Sequence, residues 1–209
     1  MKLVVFGATG GTGRCILDLA LAAGHDVLAL ARKPEAIPLR DHLAVEQGDV
    51  LVAEDVASAV QGADAVLSAF GPASNRQPGT LMSRGVANII AGCTQHGVKR
   101  FVYESGLMCS DGSELGLLSR IGVKIAGAMF SALRADKRIA EQAIEASALD
   151  YVIVRPPVLS HEPARGDYKH GAGLAINAAA KLPHADVAAF MIACASDPSV
   201  VRTIQNIGR

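Results

Sequence analysis

Lys2-Leu3-Val4-Val5-Phe6-Gly7-Ala8-Thr9-Gly10-Gly11-Thr12-Gly13-Arg14 is the stretch on which the fold turns. Lys2 to Phe6 is a strand-forming run, and a helical pattern follows from roughly Thr12 to Ala23. Between them stands Gly-x-x-Gly-x-x-Gly. A tight strand-to-helix turn needs glycine where φ is positive and where the backbone approaches a ligand closely. The start of the helix offers free N–H groups and the positive end of its dipole to an anion. Gly7, Thr9, Gly10, Gly11, Thr12 and Gly13 are therefore expected to cradle the pyrophosphate of a dinucleotide.

Outward from this motif, strand and helix patterns alternate to the end of the chain, which predicts a parallel α/β sheet. Further strands are predicted at 27–31, 44–48, 65–70, 100–104 and 151–155, with a final edge strand at 202–207. Helices are predicted at 56–60, 80–96, 131–147 and 185–195. Residues 71–79, 105–119 and 158–173 read as loops, rich in Gly, Ser, Pro or His. The near-continuous apolar run Ala65-Val66-Leu67-Ser68-Ala69-Phe70 suits a strand covered on both faces. The expected architecture is Rossmann-type: a doubly wound α/β fold in one domain over 1–209. Its sheet would be mostly parallel, of six or seven strands, with helices on both faces.

Composition narrows the function classes. Half of the 209 residues are hydrophobic but only 4% are aromatic, so the core must be aliphatic and alanine-rich. Twenty basic and 20 acidic residues cancel, which favours neither nucleic acid nor an anionic membrane surface. Cys15, Cys93, Cys109 and Cys194 lie far apart, without the spacing of a metal site, and read as reduced thiols. Cys109 falls in a predicted active-site loop. No signal peptide or membrane-length apolar run is present, so a cytoplasmic protein, monomeric or weakly dimeric, is expected.

Several residues at predicted strand ends carry chemistry. After the second strand an Asp or Glu would bond the ribose 2′-hydroxyl of NAD, but the chain offers Arg32 and Lys33. A guanidinium suits a 2′-phosphate, so NADP(H) is the expected cofactor. Asp49 can accept from the adenine amino group while Val50 packs on the ring. Ala69, Phe70 and Gly71 end the fourth strand at the switch point, where their backbone would line the nicotinamide ribose. Ser105 ends the fifth strand. Lys137 lies in the apolar stripe of its helix with Leu133, Ala140 and Ile144. A buried amine needs a partner, which ribose hydroxyls would supply. Arg134, Arg138, Glu141 and Glu145 are expected to be solvated, and Pro156, Pro157 and Val158 to close the cofactor site after the sixth strand.

With those residues placed, the chain resembles the atypical short-chain dehydrogenase/reductase family, in its NmrA-like and biliverdin-IXβ (flavin) reductase branch. The resemblance covers essentially the whole chain. It rests on the glycine motif, Gly48-Asp49-Val50, Met82-Ser83-Arg84-Gly85-Val86-Ala87-Asn88-Ile89-Ile90 and His96-Gly97-Val98. It extends through Leu149-Asp150-Tyr151-Val152-Ile153-Val154-Arg155-Pro156-Pro157 to His184-Ala185-Asp186-Val187-Ala188. Dehydrogenases of the short-chain family usually carry Tyr-x-x-x-Lys, the Tyr acting as general acid. Here the position four before Lys137 is Leu133. Val158 stands where the branch tends to place a histidine, and His161, Tyr168 and His170 follow in the next loop. Reducing a simple ketone leaves an alkoxide that needs a positioned proton donor. A flavin, quinone or tetrapyrrole-like acceptor spreads the charge and takes its proton later. The resemblance thus implies an NADPH-dependent reductase of a small, planar conjugated acceptor, with Ser105 and Lys137 as catalytic residues. The alternative it implies is a non-catalytic NADP-binding redox sensor of NmrA type, acting through a protein partner.

Overall fold

The computed structural model describes residues 1–72 and 77–209, so the loop predicted at 71–79 lies partly outside the described residues. The first half supplies β1 (Lys2–Phe6), α1 (Gly11–Ala22), β2 (Asp26–Ala31), β3 (Leu43–Gln47), α2 (Ala53–Val60), β4 (Ala65–Ser68) and α3 (Leu81–His96). The second half begins with β5 (Arg100–Glu104), α4 (Leu117–Met129), α5 (Ser131–Ala146) and β6 (Asp150–Arg155). It continues through the short β7 (Leu159–Ser160), β8 (Lys169–Gly171) and β9 (Leu182–Pro183) to α6 (His184–Ser196) and β10 (Thr203–Gly208).

The main sheet runs β3-β2-β1-β4-β5-β6-β10-β8. Every neighbouring pair is parallel except β10 with β8. Strand order reverses between β1 and β4, which makes the carboxyl edge there the switch point where ligands cross such sheets. The two faces are buried under different helices. Ile16 and Leu17 of α1 and Val187, Phe190 and Met191 of α6 pack with Leu3, Val5 and Val102 on one side. Val56 of α2, Ile89 of α3 and Ile144 of α5 pack with Val4, Phe101 and Tyr103 on the other. Each such aliphatic side chain contributes about 1.5–3 kcal/mol of transfer free energy. This double cover explains the unbroken apolar runs of the central strands.

Two expectations are corrected. The sheet has eight strands, not six or seven, and β10 is not an edge. The segment at 158–173 folds back, so that His170 pairs with Ile207 and Gly171 with Asn206. Lys169-His170-Gly171 has no apolar alternation because it lies on the sheet's rim, where backbone pairing alone holds it. The second correction is α4, which begins within the stretch expected to be irregular. Only Val123 and Gly127 of this helix are buried, while Leu117, Leu118, Ile121, Ile125 and Met129 face outward. Its apolar residues therefore do not mark a core face.

Helix ends are held from a distance. α3 starts without a side-chain cap of its own. Instead the buried Asp136 of α5 accepts from the N–H groups of Met82 (2.8 Å) and Ser83 (3.2 Å). At its other end α3 stops at Gly97, whose φ of 71° suits glycine.

Candidate functional site

The glycine motif forms the bend between β1 and α1. Gly7 has φ 87°, and a Cβ there would lie 2.4 Å from the Phe70 nitrogen. β1 can lie against the end of β4 only because that side chain is absent. Gly13 is equally constrained, since a Cβ would sit 2.0 Å from the Gly7 carbonyl. Of the two reasons for glycine in this turn, positive φ does not apply to Gly10. It is the N-cap of α1 at φ −76°, exposed, with only backbone near a hypothetical Cβ. Gly10 brings no side-chain acceptor to the helix start, so the first-turn amides stay available to an outside anion. The Thr9 carbonyl accepts from Arg14 Nε at 3.1 Å, which braces the outside of the turn.

Along the carboxyl edge, Arg32 and Lys33 follow β2, exposed and without a side-chain partner among the described residues. Asp49 is set by the turn after β3: its N–H donates to Asp55 Oδ2 (2.8 Å) and its Oδ1 accepts from the Leu51 N–H (3.0 Å). Val50 is fixed by Asn88 Nδ2, which donates to its carbonyl at 2.9 Å. Gly85 makes room for Val50 and Phe70 together, since a Cβ there would lie 2.8 Å from the Phe70 ring. β4 ends at Ser68, earlier than expected, but the Ala69 N–H still donates to the Phe6 carbonyl at 2.9 Å. Gly71 is exposed just beyond.

Ser105 and Lys137 are brought together. The Ser105 N–H donates to the Val154 carbonyl (2.8 Å), and Lys137 Nζ donates to the Ser105 carbonyl (2.7 Å). Ser105 Oγ is buried without a hydrogen-bond partner among the described residues, as is the Tyr103 hydroxyl behind it. Burial first of all, then nearby acids, keeps the Tyr103 phenol protonated well beyond its ordinary range. The Cys109 thiol neighbours Ser105 and is pushed up by burial. Pro156 is buried and its carbonyl accepts from the Leu107 N–H (2.8 Å), with Pro157 beside it. Val158 is 56% exposed, and its carbonyl accepts from the Leu182 N–H at 2.9 Å.

Glu141 is not solvated as expected. It is 3% exposed and receives Arg155 Nε (3.0 Å) and Nη2 (2.7 Å) in a two-point pair that joins α5 to the end of β6. Near this pair a polar cavity of about 310 Å³ opens on the carboxyl edge, walled in part by Cys109, Glu114, Arg138, Arg155 and Asn206.

One constellation was not foreseen from the sequence as a unit, although Thr12 was expected in the pyrophosphate cradle. Side chains alternate along β5, so Glu104 faces α1 and α6, away from Ser105. Thr12 Oγ1 donates to Glu104 Oε1 at 3.0 Å and lies 2.9 Å from His184 Nδ1. The His184 ring sits directly on Gly11, where a Cβ would come within 2.6 Å of Nε2. His161 stacks obliquely on it, ring centres 4.8 Å apart. Burial pushes the Glu104 carboxyl up to about 7, against the opposing pull of Lys137 and the Thr12 bond. Burial, with His161 in support, holds His184 below the ordinary histidine value. Two residues on, the buried Asp186 accepts from the N–H groups of Arg165 (3.1 Å) and Gly166 (3.0 Å), tying down the segment after β7. The only sequence signal was that His184 opens a segment quoted for the family resemblance. Its bond to Thr12 spans 172 positions, which no local pattern reveals.

The geometry fits a dinucleotide along the carboxyl edge. Bare backbone at Gly10 and the open amides of α1 suit a pyrophosphate, Arg32 a further anionic group, and Lys137 a polar partner near Ser105.

Comparison with known proteins agrees. The NAD(P)H-binding family matches residues 7–198. An uncharacterised chloroplastic protein of Arabidopsis thaliana is 30% identical over 175 residues, 79% of this chain; the chain spans 62% of that protein's length. Among solved structures, an anaerobilin reductase from Escherichia coli O157:H7 superposes with TM-score 0.82 at 26% identity, over 100% of this chain and 97% of its own. A short-chain dehydrogenase/reductase from Veillonella parvula in complex with NADP gives 0.80 at 18% identity, covering 100% and 94%.

Proposed function

The chain belongs to the NAD(P)H-binding family, and from that premise we propose that it is an NADPH-dependent reductase of a planar conjugated acceptor. The observation that carries this reading is the composition of the Ser105–Lys137 corner. Lys137 is anchored on a backbone carbonyl, the Tyr103 hydroxyl is sealed in the core, and the position one turn before Lys137 is the buried Leu133. Among the described residues, the donors at this corner are the Ser105 hydroxyl, buried and unpaired, and the Lys137 ammonium, already engaged on the Ser105 carbonyl. Such a corner orients an acceptor but does not deliver a proton to an alkoxide, which favours acceptors whose charge is delocalised.

The bound nucleotide supplies the hydride, and the protein supplies its orientation. The glycine turn and the first-turn amides of α1 hold the pyrophosphate. Arg32, with Lys33, holds the 2′-phosphate that distinguishes NADPH from NADH. Asp49 and Val50 receive the adenine. Ala69, Phe70 and Gly71, with Pro156, Pro157 and Val158, border the nicotinamide end. Lys137 supplies N–H donors to the ribose there, and Ser105 gives the acceptor a weak hydrogen bond. The polar cavity beside Arg138 and Arg155 offers room for a polar substituent of the acceptor. The anaerobilin reductase supports the reading as a full-length relative in fold named for a reductase activity. Four free cysteines support a reducing, cytoplasmic setting, and no described helix is long and apolar enough to cross a membrane. A monomer or weak homodimer is the proposed working form.

The test is NADPH oxidation with FMN, a soluble quinone and an aliphatic ketone in parallel. The flavin and quinone should be reduced and the ketone left almost untouched. Preferred ketone reduction would contradict the reading. NADPH binding without turnover of any acceptor would favour the redox sensor.

A further inference from the structure

The chain Glu104–Thr12–His184 lies beneath the amino end of α1, where the dinucleotide reading places the pyrophosphate, and no step above uses it. Its hydrogen bonds fix a direction. With Glu104 ionised, the Thr12 hydroxyl donates its one proton to the carboxylate, so the bond to His184 then requires Nδ1–H to donate to Thr12. His184 then carries its proton on Nδ1 and leaves Nε2, the nitrogen against Gly11, as a bare lone pair. A lone pair beside a phosphate-binding turn repels the anion. A proton on Nε2 reverses this: the ring becomes a charged donor, and the bonds to Thr12 and Glu104 need not change. The ionised Glu104 behind Thr12 would balance the imidazolium.

The groups facing this chain come from every element around it. Thr12 comes from α1, Glu104 from β5, and His161 from the segment after β7. Lys137 of α5 acts on Glu104 from the far side. Asp186, on the same helix as His184, is occupied by the amides of Arg165 and Gly166.

We propose that His184, oriented by Thr12 and Glu104, is a further pyrophosphate-binding residue and takes up a proton from solvent when the nucleotide binds. This rests on the dinucleotide reading of the same site. In the free protein His184 is held below its ordinary value, so near neutrality it starts unprotonated. Above about 7 Glu104 is ionised and supplies the balancing charge. The incoming phosphates then tip the histidine to its charged form.

The experiment is calorimetric titration with NADPH slightly above neutral pH, in buffers of different ionisation enthalpy such as HEPES and Tris. Wild-type protein should show net proton uptake. His184→Asn keeps a donor toward Thr12 but cannot titrate. It should abolish the uptake and weaken NADPH roughly ten- to hundred-fold, as expected for losing a charge-assisted bond. Glu104→Gln should reduce the uptake by removing the balancing charge. Uptake that survives in His184→Asn but vanishes in Glu104→Gln would put the proton on the carboxyl and overturn the proposal. Binding without any uptake overturns it too and leaves the dinucleotide site intact, whereas failure of wild type to bind NADPH overturns both. Because a substituted chain could fold poorly, the imidazole nitrogen signals of wild type are followed by NMR against pH. The His184 midpoint should rise on adding NADPH, and an unmoved midpoint would contradict the assignment.

Discussion

Gly7 and Gly10 belong to one motif and answer to different demands. Gly7 needs a positive φ and an empty Cβ position because β4 ends against it. Gly10 has ordinary backbone, and a Cβ there would meet nothing tighter than the Gly7 carbonyl oxygen at 3.3 Å. The spacing announced the motif but could not say which glycine serves the fold and which the ligand. Lys137 was legible, because its offsets from Leu133, Ala140 and Ile144 place it in the apolar stripe. Glu141 stands one turn on and lies on the same face. Its charge suggested solvent, and only tertiary structure reveals Arg155 waiting to pair with it. Arg32 belongs to the opposite class, exposed and free to meet a ligand. Arg32→Ala should weaken NADPH by about one to two decades, the worth of a hydrogen bond to a charged group, and leave NADH nearly unchanged. Titration calorimetry with both nucleotides checks this; equal losses would show that Arg32 does not read the 2′-phosphate.

At the scale of elements, the central strands and most helices were readable because each buries a face of recognisable period. β8 and α4 were not. β8 is three polar residues held by backbone pairing with β10, and α4 turns its large apolar residues outward. Distance also hid the cap of α3, which comes from another helix: Asp136 receives two of its first-turn N–H groups. Asp136→Ala would leave buried donors unpaired in the first turn of a 16-residue helix. Loss of a cap typically costs about 0.5–2 kcal/mol, and burial puts this one at the upper end. For a chain of 209 residues each kcal/mol lowers Tm by about 2–4 °C. A melt of Asp136→Ala should therefore fall by roughly 4–8 °C, and a change within about 1 °C would mean that the cap adds nothing.

For the whole molecule, a balanced formal charge of zero hides one costly buried acid. The Glu104 carboxyl titrates near 7 when folded and near its ordinary 4.5 when unfolded. Between those values the folded state holds a proton that the unfolded state has released, so this residue's contribution to stability declines as pH rises from about 4.5 to 7. At ~1.4 kcal/mol per unit the decline is on the order of 3 kcal/mol. Glu104→Gln removes it. Urea unfolding across that range should show the variant gaining on wild type by about this amount as pH rises, and parallel profiles would contradict the buried-acid account.

The central claim is hydride transfer to a conjugated acceptor with no protein acid acting in the same step, and it meets its most direct test in one single-turnover measurement. Protein saturated with NADPH is mixed with FMN or a quinone in a stopped-flow instrument, using NADPH deuterated at the transferring position and, separately, deuterium oxide as solvent. The rate should fall with the deuterated nucleotide and stay unchanged in deuterium oxide at equivalent pH. A marked solvent isotope effect, multiplying that of the nucleotide, would show a proton moving together with the hydride and would contradict a corner of Ser105, Lys137 and Leu133 that transfers no proton in that step.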